Sequence, residues 1–158
     1  MDLRVEKVSA SATWTLRQAV LRPHQTLDQL ALADDDDPTT GTFAALDEDG
    51  TVVGTVRVAL DEPPPAMREH RWPGGCSWRL RGMATREDLR NRGIGGALLD
   101  AAISHVADRG SGLVWCNARV PAVNLYRRAG FVEEGERWID PVIGPHVVMW
   151  RTVQPSTW

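Results

Sequence analysis

Residues 83–99 read MATREDLRNRGIGGALL, and this stretch decides the fold. Met83, Ala84 and Thr85 close a segment, residues 77–85, that reads as a strand through Trp78, Leu80 and Met83. A charged link leads into Arg90-Asn91-Arg92-Gly93-Ile94-Gly95-Gly96, and a helix starts there. The first turn of a helix leaves backbone N–H groups unpaired and carries partial positive charge. Glycine lets an anion approach those groups closely. Arg90 and Arg92 add donors, so the turn has the parts of a pyrophosphate cradle. The competing account is structural: the glycines permit close helix–sheet packing and the arginines are solvated. A dinucleotide fingerprint is excluded, because Leu98 stands where its last glycine belongs. A P-loop is excluded too, because no lysine follows the glycines and Lys7 is the only lysine in the chain.

Working outward, residues 93–110 form the clearest helix. Asp100, Ser104 and Asp108 lie four apart as one polar stripe, and Gly110 and Gly112 end it. Upstream, Leu3, Val5 and Val8 suggest a strand, and residues 14–21 a short helix capped by Ser11 or Thr13. Residues 24–40 are ambiguous, with DDDDPTTG a loop by composition. TFAALD and TVVGTVRVAL, separated by EDG, read as a hairpin. Residues 61–75 carry three consecutive prolines, which excludes regular structure and predicts a long surface loop. Downstream come a buried strand, GLVWCNA, a short helix, PAVNLYRRAG, and two strands, FVEEGERW and PHVVMWRTV. The order β, α, β, β, β, α, β, α, β, β predicts a mixed-sheet α/β protein.

The 158 residues suit a single domain spanning 1–158. Hydrophobic residues at 42% and charged residues at 25% predict a globular chain. A net charge of -3 argues against a general nucleic-acid binder. Two cysteines are too few for a disulfide framework or a four-ligand zinc site, so no metal is expected. No secretory leader and no apolar run of about 18 residues is visible, which points to a cytoplasmic protein with no membrane partner.

The second decisive stretch is residues 115–131, WCNARVPAVNLYRRAGF. The pattern RxxGxG, at Arg90, Gly93 and Gly95, is followed by AxxLYxxxGF, at Ala122, Leu125, Tyr126, Gly130 and Phe131. In this order and spacing the chain resembles the GNAT superfamily of acyl-CoA-dependent N-acetyltransferases over essentially its whole length. The resemblance implies a GNAT fold, with a mostly antiparallel mixed central sheet of about six to seven strands flanked by helices. It implies acetyl-CoA (CoA) as co-substrate and a primary amine as acceptor. The backbone from Arg90 to Gly96, including Asn91, Arg92 and Ile94, would hold the pyrophosphate. Met83, Ala84 and Thr85 would pair with the pantetheine arm as a peptide strand does. In family members this strand splays from the WCNA strand and the cofactor lies in the gap. Tyr126 would donate to the departing sulfur, and an N–H near Met83 or Ala84 would stabilise the oxyanion. Many members carry Asn three residues before the motif alanine; here that position is Arg119, which leaves Asn117 or Asn124 for the pantetheine contact.

The residues leave several points open. For the general base, His146 is one candidate, against a satisfied histidine at a strand start; His24, Glu69 and His70 are loop candidates. Cys116 reads as a buried strand residue that nothing nearby activates. Arg17 and Arg22 suit an acceptor carboxylate. Asp34 to Asp37 suit a cationic amine, against a solvated loop. No nucleophile stands out, so direct attack by a small amine in a ternary complex is expected. The alternative is a non-catalytic acyl-CoA-binding sensor of the same fold; a homodimer is left open.

Overall fold

The computed structural model describes residues 2–72 and 74–156. Seven strands form one sheet: β1 (Arg4–Lys7), β2 (Gly41–Leu46), β3 (Val52–Leu60), β4 (Ser77–Thr85), β5 (Gly112–Arg119), β6 (Val132–Asp140) and β7 (Gly144–Val153). Their spatial order is β1-β2-β3-β4-β5-β7-β6. Three α-helices accompany them: α1 (Trp14–Val20), α2 (Ile94–Asp108) and α3 (Val123–Arg128). The expected mixed, mostly antiparallel sheet is therefore present, with β4 and β5 parallel and the β1–β2, β2–β3, β5–β7 and β6–β7 pairs antiparallel. No helix among the described residues is long and apolar enough to cross a membrane.

The chain forms two compact units. One comprises the residues up to Ala59 together with Gly82–Ala102; the other comprises Leu60–Arg81 and the residues from Ile103 onward. In the first unit β1, β2 and β3 form an antiparallel meander. The β2–β3 turn is built by Asp47, whose carboxylate accepts from the N–H groups of Asp49 and Thr51, both at 2.9 Å. Strand β3 is buried almost end to end, with Val53, Val56 and Val58 closed to solvent. Helix α2 approaches β3 at Gly54, where a Cβ would lie 2.9 Å from Ile94 Cγ2 and 3.0 Å from Leu98 Cδ1.

One cation lies inside that valine run. Arg57 is 2% exposed. Its guanidinium is held by Asp34, and by Asp35 at 2.8 Å from Nε. Asp37 accepts from the hydroxyl and the N–H of Thr39. The acidic run is thus solvated only in part: Asp36 and Asp37 are exposed, whereas Asp34 and Asp35 neutralise a buried arginine. A charge in the interior is tolerated only when paired and hydrogen-bonded.

In the second unit β5, β7 and β6 form an antiparallel ladder from Gly112↔Val153 to Asp140↔Gly144. The register shifts between Glu134 and Trp138, and Gly135 sits there at φ 76°. The bulge lets β6 run on to Asp140, past the expected end at Trp138. The parallel ladder of β4 to β5 is registered over Ser77–Arg79 against Leu113–Trp115. Leu113, Val114, Phe131, Val147 and Met149 are its core.

Three local expectations are corrected. Thr13 does occupy the N-cap of α1, but its hydroxyl donates back to the Ala10 carbonyl at 2.7 Å, because a 3-10 turn over Ala10–Thr13 runs directly into the helix. The proline loop holds one 3-10 turn, Pro65–Met67, which prolines at the start of a helical turn allow. Met67, at its end, is buried against Leu113 and Trp115, so the loop is anchored rather than merely superficial. The short helix opens with a 3-10 turn, Val120–Ala122, before α3.

The Arg57 contacts generate a stability prediction. Asp35→Ala leaves a buried guanidinium with one partly exposed partner and should cost about 3–5 kcal/mol. Arg57→Met added to it should recover most of the loss. Urea unfolding of the single and double variants checks this; equal losses in both would mean that the ion pair is not the cause.

Candidate functional site

The glycine turn lies in the first unit. Asn91 has φ 65° and Gly93 φ 80°, so the chain enters α2 through two left-handed residues. Consecutive N–H groups in such a turn form an anion-binding concavity. The Ala97 N–H donates to the Gly93 carbonyl at 3.1 Å. Gly93 is therefore the helix cap, and the N–H groups of Ile94, Gly95 and Gly96 precede the first intrahelical bond. Ile94 is buried, while Arg90, Asn91, Arg92 and Gly93 are exposed. A Cβ on Gly93 or Gly96 would meet nothing within 4 Å. These two glycines are thus not needed for packing; the close approach to the sheet falls on Gly54. Upstream on β4, Ala84 is buried and Met83 and Thr85 are half-buried. The Arg86 N–H donates to the Val53 carbonyl at 2.9 Å, fixing the link where it leaves the strand.

The aromatic site lies in the second unit. Tyr126 projects from α3 into the interior and is 5% exposed. Its ring meets Phe131 edge-on, with centroids 5.7 Å apart, so the last residue of the LYxxxGF pattern supports the tyrosine. The phenol hydrogen-bonds the Cys116 sulfur. Burial, then the neighbouring Cys116 sulfur, raises the Tyr126 hydroxyl well above the usual tyrosine value, and Arg119 partly offsets this. Burial likewise pushes the Cys116 thiol up to about 12. Cys116 is therefore an inert thiol at neutral pH. Its role as the phenol's partner has no signal in the sequence, because the two residues lie on different elements.

Asn117 is exposed within an otherwise buried stretch of β5, and Asn124 is exposed on α3. His146 is 5% exposed. Its Nδ1 lies 2.7 Å from the Gly144 carbonyl, and its ring stacks on Trp138 with centroids 5.6 Å apart. A carbonyl only accepts, so Nδ1 carries the hydrogen in this contact. That is the satisfied histidine near a strand start. His70 lies 3.6 Å from Glu134, and His24 and Glu69 are exposed loop residues. Arg17 is buried in α1 and Arg22 is half-buried just past it. Among the described residues no group of three or more His, Cys, Asp or Glu side chains is arranged to hold a metal ion.

A family model described as the acetyltransferase (GNAT) family matches residues 9–131. An uncharacterised N-acetyltransferase of Bacillus subtilis (strain 168), YitI, is 34% identical over 155 residues, covering 98% of this chain and 99% of the relative. Among solved structures, a phosphinothricin acetyltransferase from Sinorhizobium meliloti, in complex with AcCoA, matches with TM-score 0.71 and 19% identity, over 98% of this chain and 90% of that one. A GNAT-family acetyltransferase from Staphylococcus aureus MU50 matches with TM-score 0.68 and 16% identity, over 97% and 100%. At such identities the two structures speak to the fold.

Cys76 is exposed and Cys116 buried, which sets a thiol prediction. A chromogenic disulfide reagent should titrate Cys76 in the native protein and both thiols after unfolding. Because the folded Cys116 value is raised, the native state keeps a proton that the unfolded state releases. Its contribution to stability is full below the ordinary thiol value of about 8.5 and is lost as pH climbs towards about 12. Cys116→Ala should flatten that alkaline decline, as read from urea midpoints across the range.

Proposed function

The chain belongs to the GNAT acetyltransferase family, and on that premise we propose that it moves an acetyl group from acetyl-CoA to a small primary amine by direct attack in a ternary complex. The observation that carries the proposal is the glycine turn. Its N–H groups at Ile94, Gly95 and Gly96 open α2, and the space beside Gly93 and Gly96 is free of protein atoms. Those N–H groups, with Arg90, Asn91 and Arg92, would hold the pyrophosphate. Met83, Ala84 and Thr85 would offer strand-like backbone to the pantetheine arm, and Asn117 or Asn124 a side-chain amide.

In the transfer, the amine nitrogen forms a bond to the thioester carbonyl carbon. A backbone N–H near Met83 or Ala84 would donate to the resulting oxyanion. The carbon–sulfur bond then breaks and the Tyr126 hydroxyl would donate to the departing sulfur. An alkyl thiol has a pKa of about 8.5. The Tyr126 hydroxyl is a weaker acid than that, since burial raises it. Tyr126 therefore acts by hydrogen-bonding the developing thiolate, and the proton that finally neutralises the sulfur is the one released by the nitrogen, which becomes positively charged when the neutral amine adds to the carbonyl. The reading includes a cytoplasmic setting, where Cys76 and Cys116 remain free thiols. The absence of a basic surplus in the chain favours small amines over folded protein acceptors.

Acetyl-CoA at 100 times its Kd should stabilise the protein by about 2.7 kcal/mol, and NADH and ATP should do less. Gly93→Val should abolish that shift, since the side chain would occupy the open approach. No shift with acetyl-CoA or CoA at saturation would overturn the proposal. A thiol-release screen across amines with acetyl-CoA then identifies the acceptor; faster acetylation of folded proteins than of every small amine would refute the small-amine part.

Tyr126→Phe keeps the ring on Phe131 and removes the donor. It should lower kcat on the order of 10²-fold, with acetyl-CoA affinity changed far less. Full turnover by the folded variant would remove the role assigned to Tyr126.

A further inference from the structure

Strands β4, β5 and β7 each contribute a residue to one row of the second unit. Arg79 is the register partner of Trp115, and Trp115 that of Trp150. Register partners present their side chains on the same face, with Cβ atoms about 4.5–5.5 Å apart. The three therefore form one patch, and Arg79 Cζ stands 4.8 Å from the centre of the Trp115 ring. Trp115 is 6% exposed.

The patch is rich in donors and poor in acceptors. Arg79 Nε, Trp115 Nε1 and Trp150 Nε1 are all shielded from solvent and have no hydrogen-bond partner among the described residues. Met67, Leu113 and Trp72 pack with the two indoles, and the His70 ring lies 6.3 Å from that of Trp150. Trp72 brings no acceptor, since an indole only donates, and its N–H is engaged on the Cys76 carbonyl at 2.6 Å. Arg81, two residues along β4, falls on the same face. Against these two cations stands Asp61, 3.8 Å from Arg79 Nη1 and with a side chain 43% exposed. Burial first, and then the like charge of Arg81, presses the Arg79 guanidinium below its usual value. Unpaired buried donors beside an undercompensated cation are costly in a native protein unless something accepts from them.

We infer that the acceptor amine carries a carboxylate, and that Arg79 and Arg81, with the indole N–H groups of Trp115 and Trp150, recognise it. The inference rests on the acetyl-transfer proposal and adds the chemical class of the acceptor. A carboxylate suits the guanidinium fork, and its remaining lone pairs suit the indoles. Buried donors of this kind discriminate strongly against an analogue that cannot accept from them.

The test uses amines matched in all but one group, an amino acid and its carboxamide, with acetyl-CoA and a thiol-release readout. For the wild type the carboxylate member should show a KM about tenfold or more below that of the amide, with similar kcat. Arg79→Met, Arg81→Met and Trp115→Phe should each bring that ratio towards one. Trp115→Phe keeps an aromatic ring while removing the N–H together with the five-membered ring, so a folded Trp115→Phe protein that still binds acetyl-CoA decides the matter if an arginine variant does not fold. Thermal shifts separate the two levels. Stabilisation by acetyl-CoA together with equal KM values for the pair overturns this inference and leaves acetyl transfer standing. No stabilisation by acetyl-CoA overturns both. Inorganic phosphate is the control anion: a shift with phosphate that Trp115→Phe abolishes, without any preference for the carboxylate member, would mark a phosphate site and also overturn the inference.

Discussion

The close approach of α2 to β3 at Gly54 is the contact on which the glycine turn depends. With no side chain at that position, Ile94 and Leu98 seat directly on the strand. The first helical turn is thereby held from its buried side alone. Its solvent side is left bare, so the N–H groups that open the helix are not consumed by packing. Gly93 then makes the reversal that a β-carbon would strain, at φ 80°. Packing and anion approach, which compete as explanations of the glycines when only the sequence is read, are carried by different residues. Gly54 serves the first, and Gly93 and Gly96 are open to the second.

Sulfur chemistry is the second constraint. The phenol of Tyr126 already hydrogen-bonds a sulfur, that of Cys116. Both groups are buried and both are held protonated, so their contact survives across neutral pH. The role proposed for this tyrosine would require its hydroxyl to change partner from one sulfur to another. Little reorganisation is needed for such an exchange, because the hydroxyl rotates about a single bond. Arg119, which departs from the usual family residue, is close enough to Tyr126 to ease the phenol towards its ionised form. The substitution thus has an electrostatic effect on the donor, whatever it does to the pantetheine contact.

Much of the fold was legible in the sequence because local signals and tertiary context agree there. The polar stripe Asp100, Ser104, Asp108 is exposed as its spacing requires, and the valine-rich β3 is buried as its composition requires. What could not be read depends on pairs of residues distant in the chain. Arg57 lies 22 and 23 residues from its carboxylates, so the acidic run looked like a solvated loop. Met67 looked like loop because prolines dominate its neighbourhood, and only the strand beneath it makes it core. In the candidate site, the glycine turn and Tyr126 are visible as motifs, since both are local. The Cys116 partner of Tyr126 and the Arg79–Trp115–Trp150 row are created by strand pairing and helix docking, which no spacing rule encodes.

Two arginines, one in each unit, show how structure and function divide. Arg57 is enclosed and receives two carboxylates from a loop that folds over it. Its charge is cancelled inside the protein, and nothing further is required of it. Arg79 is half-buried beside another arginine and meets a single carboxylate at 3.8 Å. Its neighbours on the row bring N–H donors rather than acceptors. A chain that can bury a cation with full compensation at one place, and leaves another short of it, has no general difficulty in supplying carboxylates. Unpaired buried donors also occur singly elsewhere, as at Trp14 and Trp78, but on the face of β4, β5 and β7 three lie together beside a cation, and that grouping is more economically explained by what binds there than by a defect of packing.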